Sequence, residues 1–268
     1  MDNSFLKWAG SKFNALEEVY KVVPRSGSVL IEPFMGACNV ALNADYDKLI
    51  LSDSNSDLVE LCHWASRKPK DLITQASPLF TGEFNTVEKY YELRSRYNHS
   101  KCPKERALLF LYLNRHTYNG LSRYNKSGFF NTSFGFYKNP ILPIDAIHNF
   151  SKKLKRANFK KRKFEALKFN SGENVTVYCD PPYLPLSKTA SFSAYTKEGF
   201  TPESHDLLNK KCSSWAKKGS LVFLSNHKSP LIDVHYSKGD IVSSFDVRRS
   251  ISCKGDNRGN APEVILKY

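Results

Sequence analysis

Short apolar runs alternate along the chain with amphipathic stretches, and this alternation predicts an α/β fold. Helical periodicity favours helices at residues 86–97, 105–114, 143–155 and 202–217. Runs with the length and composition of strands cover residues 29–34, 49–51, 175–179, 221–224, 245–247 and 264–268.

The first two strands are arranged as in the opening of a nucleotide-binding sheet. The strand at 29–34 is followed by a turn at Gly36, a helix through 40–43, and then the strand at 49–51, which leads to Asp53. An acid at the end of the second strand is typical of sheets that bind nucleotides. Ser56 or Asp57 is expected to cap the next helix, which extends through Trp64.

The middle of the chain has a different character from the predicted sheet. Residues 118–140 have no helical period and combine Asn, Gly, Arg and Lys with many aromatic side chains. This composition suits nucleic-acid backbones and bases, although several of the aromatic rings are expected to form a small core of their own. We predict a catalytic domain of residues 1–56 and 145–268, interrupted by a mostly helical recognition domain, 57–144, with a β-hairpin or ordered loop.

Composition narrows the possible partners. The 268 residues have a formal net charge of +14, which favours a polyanionic partner and equally suits a well-solvated basic surface. No apolar run reaches membrane-spanning length, and the first residues lack the apolar core of a signal peptide. The six cysteines form no CxxC pair, so neither a zinc site nor a disulfide framework is predicted, and a cytoplasmic location is expected.

The sequence Asp180-Pro181-Pro182-Tyr183 follows the strand at 175–179 and is the strongest chemical signal. Open α/β sheets bind ligands at the carboxyl ends of their strands. The two prolines fix the backbone and remove two N–H donors, so the turn offers acceptors that suit a planar amino group. Tyr183 adds a ring on which a base can stack. Taken alone, the tetrapeptide is also compatible with a rigid turn of no chemical role.

Several other segments resemble those of the Dam-type DNA adenine-N6 methyltransferases. The resemblance spans nearly the whole chain and rests on short motifs that are specific in combination. In this sequence the motifs read FLKWAGSK at 5–12, EPFMG at 32–36, DSNSDL at 53–58, LYLNR at 111–115, YNGL at 118–121, RYN at 123–125, DPPY at 180–183, SNH at 225–227 and RRSIS at 248–252.

The resemblance implies a Rossmann-like sheet that uses S-adenosylmethionine, with no metal and no obligate protein partner. Double-stranded DNA is the expected substrate, and a flipped adenine within GATC is the expected target. The catalytic residues implied are Asp180, Pro181, Pro182 and Tyr183. The cofactor-binding residues implied are Trp8, Lys12, Phe34, Gly36, Asp53 and Asp180. The DNA-binding residues implied are Lys7, Tyr118, Asn119, Leu121 and Arg123. Tyr195 is a candidate cover for the flipped base, with surface packing as its alternative, and His227 is expected to be structural.

Three positions depart from the family pattern. Ser11 and Cys38 stand where the family usually has glycine, and Ser133 stands where it usually has proline. A side chain at Cys38 is expected either to crowd the cofactor or to face the core. None of the three changes removes a charged or catalytic group, so activity is expected to survive.

The residues are also compatible with two rival functions. One is a methyltransferase acting on another planar amino group, in cytosine N4, RNA adenine or a protein glutamine. The other is a catalytically silent DNA-binding protein. The aspartate before Pro-Pro-Tyr and the base-reading segment disfavour the first rival, and the intact Asp180, Asp53 and Lys12 disfavour the second.

Overall fold

A computed structural model of the chain describes residues 1–184, 200–248 and 260–268. Within these ranges seven strands form one sheet in the order β3-β2-β1-β4-β5-β7-β6. The strands are β1 (Ser26–Glu32), β2 (Asp45–Asp53), β3 (Asn158–Lys161), β4 (Val175–Cys179), β5 (Leu221–His227), β6 (Asp240–Arg248) and β7 (Asn260–Lys267). Tyr195 and the 249–252 part of the RRSIS motif lie outside the described residues.

The strand order creates a switch point between β1 and β4. Strands β1 to β5 are parallel, while β7 pairs antiparallel with both β5 and β6. From β1 the chain proceeds outward through β2 to β3, and from β4 it proceeds in the other direction to β5, then to the outermost strand β6, and returns to β7 between them. Ligand clefts form at such switch points, outside the carboxyl ends of the strands.

Alternate residues of the central strands build two apolar cores, one on each face of the sheet. Leu30 of β1 packs in one core and its neighbour Ile31 in the other, as the two-residue period of a strand requires. The helices of the described residues are α1 (Leu16–Val22), α2 (Asn39–Leu42), α3 (Ser56–Arg67), α4 (Pro69–Ala76), α5 (Val87–His99), α6 (Pro103–His116), α7 (Ile144–Leu154), α8 (Pro202–Lys217) and α9 (Leu231–His235).

The predicted α/β class is confirmed, and the sheet is consistent with the methyltransferase fold that the resemblance implies. Most predicted strands and helices are present, with bounds that differ by a few residues. Strand β3 was not predicted, because its sequence NFKK is largely polar. The predicted caps of α3 were wrong: Asn55 is the N-cap, and its side chain accepts hydrogen bonds from the backbone N–H groups of Asp57 and Leu58.

The segment after α6 is an ordered loop with two isolated antiparallel bridges, Thr117 to Phe134 and Tyr124 to Phe130. It packs on α5, where the Tyr90 hydroxyl donates to the Thr132 carbonyl at 2.8 Å. Helix α3 contacts both α6 and α7, so one apolar core joins this helical part to the sheet. The division into two domains therefore stays a prediction.

Candidate active site and DNA-reading segment

Three strand ends meet at the carboxyl edge of the sheet and bring the predicted site residues together. The turn at Gly36 follows β1, Asp53 ends β2, and Asp180 follows β4. The Gly36 N–H donates to Asp53 Oδ2 at 3.3 Å, which ties the first turn to the second strand. We call this group of strand ends the catalytic edge.

Asp180 forms an ion pair with Lys12 at the catalytic edge. Lys12 Nζ lies 2.8 Å from Asp180 Oδ1, and the two side chains are only 6% and 18% exposed. The same ammonium donates to the Gly10 carbonyl at 3.1 Å and lies 4.7 Å from the centre of the Tyr183 ring. Burial raises the pKa of Asp180 to about 6, although Lys12 opposes the shift. The resemblance assigned Lys12 to the cofactor, and its contacts here are with Asp180 and Tyr183.

The turn that contains Asp180 and Tyr183 is fixed from β5 and β7. The Tyr183 hydroxyl donates to Glu263 Oε2 at 2.9 Å. The Leu184 N–H donates to Asn226 Oδ1 at 3.0 Å, and His227 Nδ1 donates to the Leu184 carbonyl at 2.8 Å. These bonds agree with the structural role expected for His227.

Glu263 is a member of this site that the sequence analysis missed. It is 8% exposed and lies 80 residues after Tyr183 in the chain. Its strand β7 pairs antiparallel with β5, which places Glu263 opposite His227. A single glutamate near the end of the chain forms no recognisable sequence motif. Only the pairing of β5 with β7 shows that Glu263 lies in the site.

Gly36 and Trp8 pack so closely that the turn requires glycine. Gly36 has φ +45°, and a Cβ atom there would lie 3.1 Å from Nε1 of Trp8. The indole therefore covers the turn directly, and it also makes an edge contact with Phe110 at a centroid distance of 6.4 Å. A side chain at 36 would require Trp8 to shift by a few tenths of an ångström and would strain the left-handed backbone of the turn.

Asp53 retains hydrogen-bonding capacity toward the cleft. Its Oδ1 accepts from the Asn55 N–H at 2.9 Å, and its Oδ2 accepts from Gly36. An ionised carboxylate has about four acceptor positions, so a hydroxyl donor, such as one of a ribose, can still be accommodated. Beyond Asp53, the Phe34 ring lies 5.4 Å from Phe164 and 5.7 Å from Phe200. A carboxylate beside an aromatic cluster suits a nucleoside.

Cys38 faces the core rather than the cleft. It is fully buried, its thiol contacts Cys62, and burial raises the pKa of the thiol well above its usual value. Its backbone is left-handed, with φ 59° and ψ 25°, a conformation that glycine adopts at lower cost. The departure at Cys38 therefore affects backbone strain, and its side chain packs in the core.

The departures at Ser11 and Ser133 are also accommodated. Ser11 has φ −53°, which needs no glycine, and its hydroxyl accepts a hydrogen bond from Asn39 Nδ2 at 2.7 Å. Ser133 is exposed, and its carbonyl accepts from the Tyr118 N–H at 2.9 Å. Ser11 thus adds a contact between the amino-terminal motif and α2.

Lys7 is joined to the end of α6, beside the predicted DNA-reading residues. The Lys7 N–H donates to Asn114 Oδ1 at 3.0 Å, and Asn114 Nδ2 donates back to the Lys7 carbonyl at 2.6 Å. Lys7 Nζ lies 4.1 Å from the centre of the Tyr137 ring. Gly120 has φ +65°, and a Cβ atom there would lie 2.6 Å from the Cβ of Lys7. The amino-terminal motif and the YNGL motif are therefore in direct contact.

The remaining predicted reading residues lie on the exposed side of this segment. Tyr118 is 48% exposed, and Asn119 has a left-handed backbone with φ 52°. Leu121 is half-buried and Arg123 is exposed. The Arg123 Nε donates to Asn131 Oδ1 at 2.9 Å. We call residues 118–123 the reading segment.

Comparison with known proteins identifies the family. The family model of D12 class N6 adenine-specific DNA methyltransferases matches residues 8–250. The chain belongs to this family.

Three relatives agree with the family assignment, two of them matched over nearly their whole length. The chain is 39% identical to a DNA adenine methylase of Escherichia coli (strain K12), with 100% of this chain and 95% of the relative covered. It is 36% identical to a DNA adenine methylase of Vibrio cholerae, covering 99% of this chain and 95% of that protein. It is also 37% identical to the DNA N-6-adenine-methyltransferase of Escherichia phage P1, over 98% of this chain and 35% of the phage protein.

Membership defines the activity of this methyltransferase: it methylates N6 of adenine in DNA, which requires a methyl donor and a DNA substrate. The described residues contain no cluster of His, Cys, Asp or Glu side chains placed to hold a metal ion. In the same residues no helix is long and apolar enough to cross a membrane.

A polar network in the methyltransferase connects the loop after Arg123 to the helix after Asp53. Tyr124 and Tyr97 share a hydrogen bond of 3.0 Å between their hydroxyls, and the Tyr97 hydroxyl is 2.5 Å from Asp57 Oδ2. Arg106 donates to both Asp57 oxygens, at 2.9 and 2.7 Å. Asn55 Nδ2 lies 3.4 Å from the Tyr124 hydroxyl. The sequence motifs contain Asp57 and Tyr124 but do not reveal this connection.

Proposed function

We propose that this chain transfers a methyl group from S-adenosylmethionine to N6 of the adenine in GATC sequences of duplex DNA. The family assignment supports the reaction class, and the resemblance of the reading segment supports GATC. The observation that most supports the chemistry is the largely buried Asp180 carboxylate, paired with Lys12 at 2.8 Å at the carboxyl edge of the sheet.

Asp180 and the Pro181 carbonyl are the proposed acceptors for the two N6 hydrogens of adenine. The amino nitrogen is a poor nucleophile because its lone pair is delocalised into the ring. Hydrogen bonds accepted from its N–H groups favour a pyramidal nitrogen that can attack in line, without a covalent intermediate on the protein. Preorganised acceptors in a site shielded from water supply most of such a rate gain.

Lys12 and Tyr183 prepare this site in different ways. The ammonium of Lys12 lowers the pKa of Asp180 against the effect of burial, which keeps more of the carboxylate ionised near neutral pH. The hydroxyl of Tyr183 donates to Glu263, which anchors the far end of the side chain. We propose that the target adenine stacks on this ring. Pro182 keeps the backbone of the turn rigid.

The cofactor residues proposed are Trp8, Lys12, Phe34, Gly36, Asp53 and Asp180. S-adenosylmethionine supplies a methyl group on a positively charged sulfur. Asp53 has acceptor capacity for a ribose hydroxyl, and the aromatic cluster around Phe34 offers a surface for the adenine ring of the cofactor. The backbone turn at Gly36, covered by Trp8, closes this side of the cleft.

The target adenine must leave the duplex to reach a carboxylate as buried as Asp180. We propose that Tyr118, which is 48% exposed, enters the space left in the helix. Asn119, Leu121 and Arg123 then contact the target bases, and Lys7 reaches a flanking base. Residues 57–144 are the proposed recognition domain, and residues 1–56 and 145–268 the catalytic domain.

The cellular location of the enzyme and its independence of a protein partner are both predictions. A location in the cytoplasm of a bacterial or phage-infected cell is favoured by the bacterial and phage sources of its relatives. The absence of an obligate protein partner is an expectation from the resemblance.

The test is transfer of tritium from methyl-labelled cofactor to a duplex with one GATC, compared with a scrambled duplex. Digestion with endonucleases that differ in their response to methylated GATC identifies the methylated base. We expect label in the GATC duplex only. Equal labelling of both duplexes would overturn the GATC assignment, label in cytosine would overturn adenine, and DNA binding without label would favour a catalytically silent protein.

A further inference from the structure

A dense run of basic residues covers the outer edge of the sheet at β3. Residues 152–163 contain eight lysines and arginines and no aspartate or glutamate. This short run therefore accounts for more than half of the net charge of +14. None of these residues belongs to the motifs that carry the family resemblance.

The fold presents much of this run to solvent. Lys152 belongs to the last turn of α7, Lys155 is the C-cap of that helix, and Arg156 follows in the turn after it. All three are exposed, as is Lys161 at the end of β3. Strand β3 is the outermost strand and pairs with β2 alone among the described strands.

Basic side chains from other elements extend the same surface. A cleft of about 340 Å³ lies beside β3 and is lined by Arg156, Lys48 of β2, and His63 and Arg67 of α3. Three cationic side chains from three parts of the chain thus face one cleft. We call the exposed side chains of Lys48, Lys152, Lys155, Arg156 and Lys161 the β3-edge patch.

Few acids neutralise this surface. Asp2 pairs with Lys153, next to the patch. In residues 1–184, 200–248 and 260–268, no carboxylate lies within ion-pair distance of Lys48, Lys155 or Arg156. Cations at the carboxyl end of α7 also interact favourably with the helix dipole. That interaction does not explain Lys48 or Lys161, because both belong to strands.

The basic run reaches the catalytic edge at one end. The Arg162 N–H donates to the Asp53 carbonyl at 2.9 Å, and the Ser52 hydroxyl donates to the Arg162 carbonyl at 3.1 Å. From Arg156 to Lys163 the chain spans at most about 23 Å, at roughly 3.3 Å per residue. That length corresponds to about seven base-pair steps of DNA. The basic run therefore leads along β3 from the cleft beside Lys48 and Arg156, at the amino end of the strand, to the catalytic edge at its carboxyl end.

We propose that the β3-edge patch binds the phosphate backbone of duplex DNA outside the target sequence. The inference rests on the proposed function, because it extends the binding of the same substrate. Exposed lysines and arginines without acidic partners release counterions when they meet phosphates, and they read no sequence. The patch would thus hold the enzyme on DNA between targets and add affinity on long duplexes.

The test measures how salt weakens binding to a 30-base-pair duplex that lacks GATC. The patch variant is K48Q/K152Q/K155Q/R156Q, which spares Arg67 because its guanidinium donates to the Ala157 carbonyl. The matched control is K210Q/K217Q/K218Q/K238Q, four exposed lysines on and after α8, with the same loss of charge. Fluorescence anisotropy gives Kd at several salt concentrations for each protein, and circular dichroism checks that each is folded.

The patch variant should have a salt slope smaller in magnitude than that of wild type by about 2 to 4, at about 0.9 for each lost phosphate contact. The control should change the slope by less than about 1. Equal changes in the two variants, or no change in the patch variant, would overturn the proposal. Binding of anionic vesicles or RNA that depends on the patch, with DNA binding unaffected, would also overturn it.

Failure of this inference is distinguishable from failure of the proposed function. Methyl transfer to a GATC duplex is measured for wild type in the same buffer. If wild type transfers the label and the patch variant keeps the wild-type salt slope, only the patch assignment fails. If wild type transfers no label, the proposed function fails whatever the slopes are.

Discussion

The catalytic edge and the reading segment both contain charged and aromatic side chains, but they hold them in opposite ways. At the catalytic edge, Lys12 is 6% exposed and paired with Asp180, and Tyr183 is fixed by Glu263. In the reading segment, Tyr118 is 48% exposed and Arg123 is exposed. The first region is preorganised before substrate arrives, whereas we propose that the second presents side chains that complete their contacts on DNA.

The difference follows from what each region must do. Stabilising a transition state requires dipoles and charges already in place, in a medium where they act strongly. Reading a base edge requires unsatisfied donors that a partner can reach, and burying them in the free protein would cost free energy. Substitutions should therefore reduce the rate at the catalytic edge and alter discrimination in the reading segment.

The largest effect is expected for Asp180→Ala. Loss of one preorganised acceptor of the amino hydrogens should lower the single-turnover rate by about 10²- to 10³-fold, with DNA affinity largely kept. Asp180→Asn should also be slow, because its amide lacks the negative charge. Single-turnover methyl transfer and a binding titration measure the two quantities. A folded Asp180→Ala protein with near wild-type rate would falsify the assigned role.

Arg123→Ala should relax discrimination at one guanine of GATC. Its guanidinium can donate two hydrogen bonds to O6 and N7 of guanine, a match worth about 1–3 kcal/mol against the wrong base. The measurement compares turnover on GATC with turnover on duplexes that each carry one substitution. The neighbouring exposed Lys126→Ala serves as control and should leave the pattern unchanged. If Arg123→Ala lowers turnover by the same factor on every duplex, this arginine binds phosphate and reads no base.

The pH dependence of the rate tests the ion pair at the catalytic edge. Because the pKa of Asp180 is about 6, the rate of the chemical step should fall as pH drops below 6 and the carboxylate becomes protonated. Lys12→Gln removes a charge that lowers this pKa, so the acid limb should move to higher pH. The exposed Lys21, which pairs with Glu18, provides the control Lys21→Gln, whose profile should match wild type. An unmoved limb in Lys12→Gln would show that the pair does not control the ionisation of Asp180.

The smallest effect on catalysis is expected for Glu32→Gln, which tests the burial of charge at the catalytic edge. Glu32 is 3% exposed, and burial raises its pKa to about 8. A raised pKa means that the folded protein holds this proton more tightly than the unfolded chain does. The resulting stabilisation is complete below the unfolded-state pKa near 4.5 and is lost as pH rises toward 8. Glu32→Gln should differ from wild type by less than about 1 kcal/mol at pH 5 and should exceed the wild-type free energy of unfolding at pH 8 by roughly 1–3 kcal/mol.

Denaturant unfolding at pH 5 and pH 8 measures the difference. The amide oxygen of glutamine can keep the hydrogen bond that Glu32 Oε1 accepts from the Ala41 N–H at 2.7 Å. The exposed Glu17→Gln is the control and should show no such dependence on pH. A Glu32→Gln protein that is less stable than wild type at pH 8 would mean that the ionised carboxylate has a partner that stabilises it.

The sequence predicted the catalytic edge well, because apolar strands and a short motif are both local signals. Strand β4 and Asp180 were located from five buried residues and four that follow them. Partners distant in the chain were harder to find: the Lys12–Asp180 pair and the bond from Tyr183 to Glu263 depend on how the strands are ordered. Strand β3 was missed because an outer strand needs no continuous apolar run. The cap of α3 was misplaced by one residue or more because Asn55, Ser56 and Asp57 are all good caps.

The proposed reaction requires that the target adenine of the duplex moves from beside the reading segment into the catalytic edge. Fluorescence of a GATC duplex with 2-aminopurine in place of the target adenine tests this most directly, because the fluorescence of this base rises when it leaves the stack. We predict a rise when the enzyme binds in the presence of a cofactor analogue, partly quenched by stacking on Tyr183, and a larger rise for Tyr183→Ala. No change in fluorescence with saturating enzyme would contradict base flipping and would make single-stranded nucleic acid the better substrate.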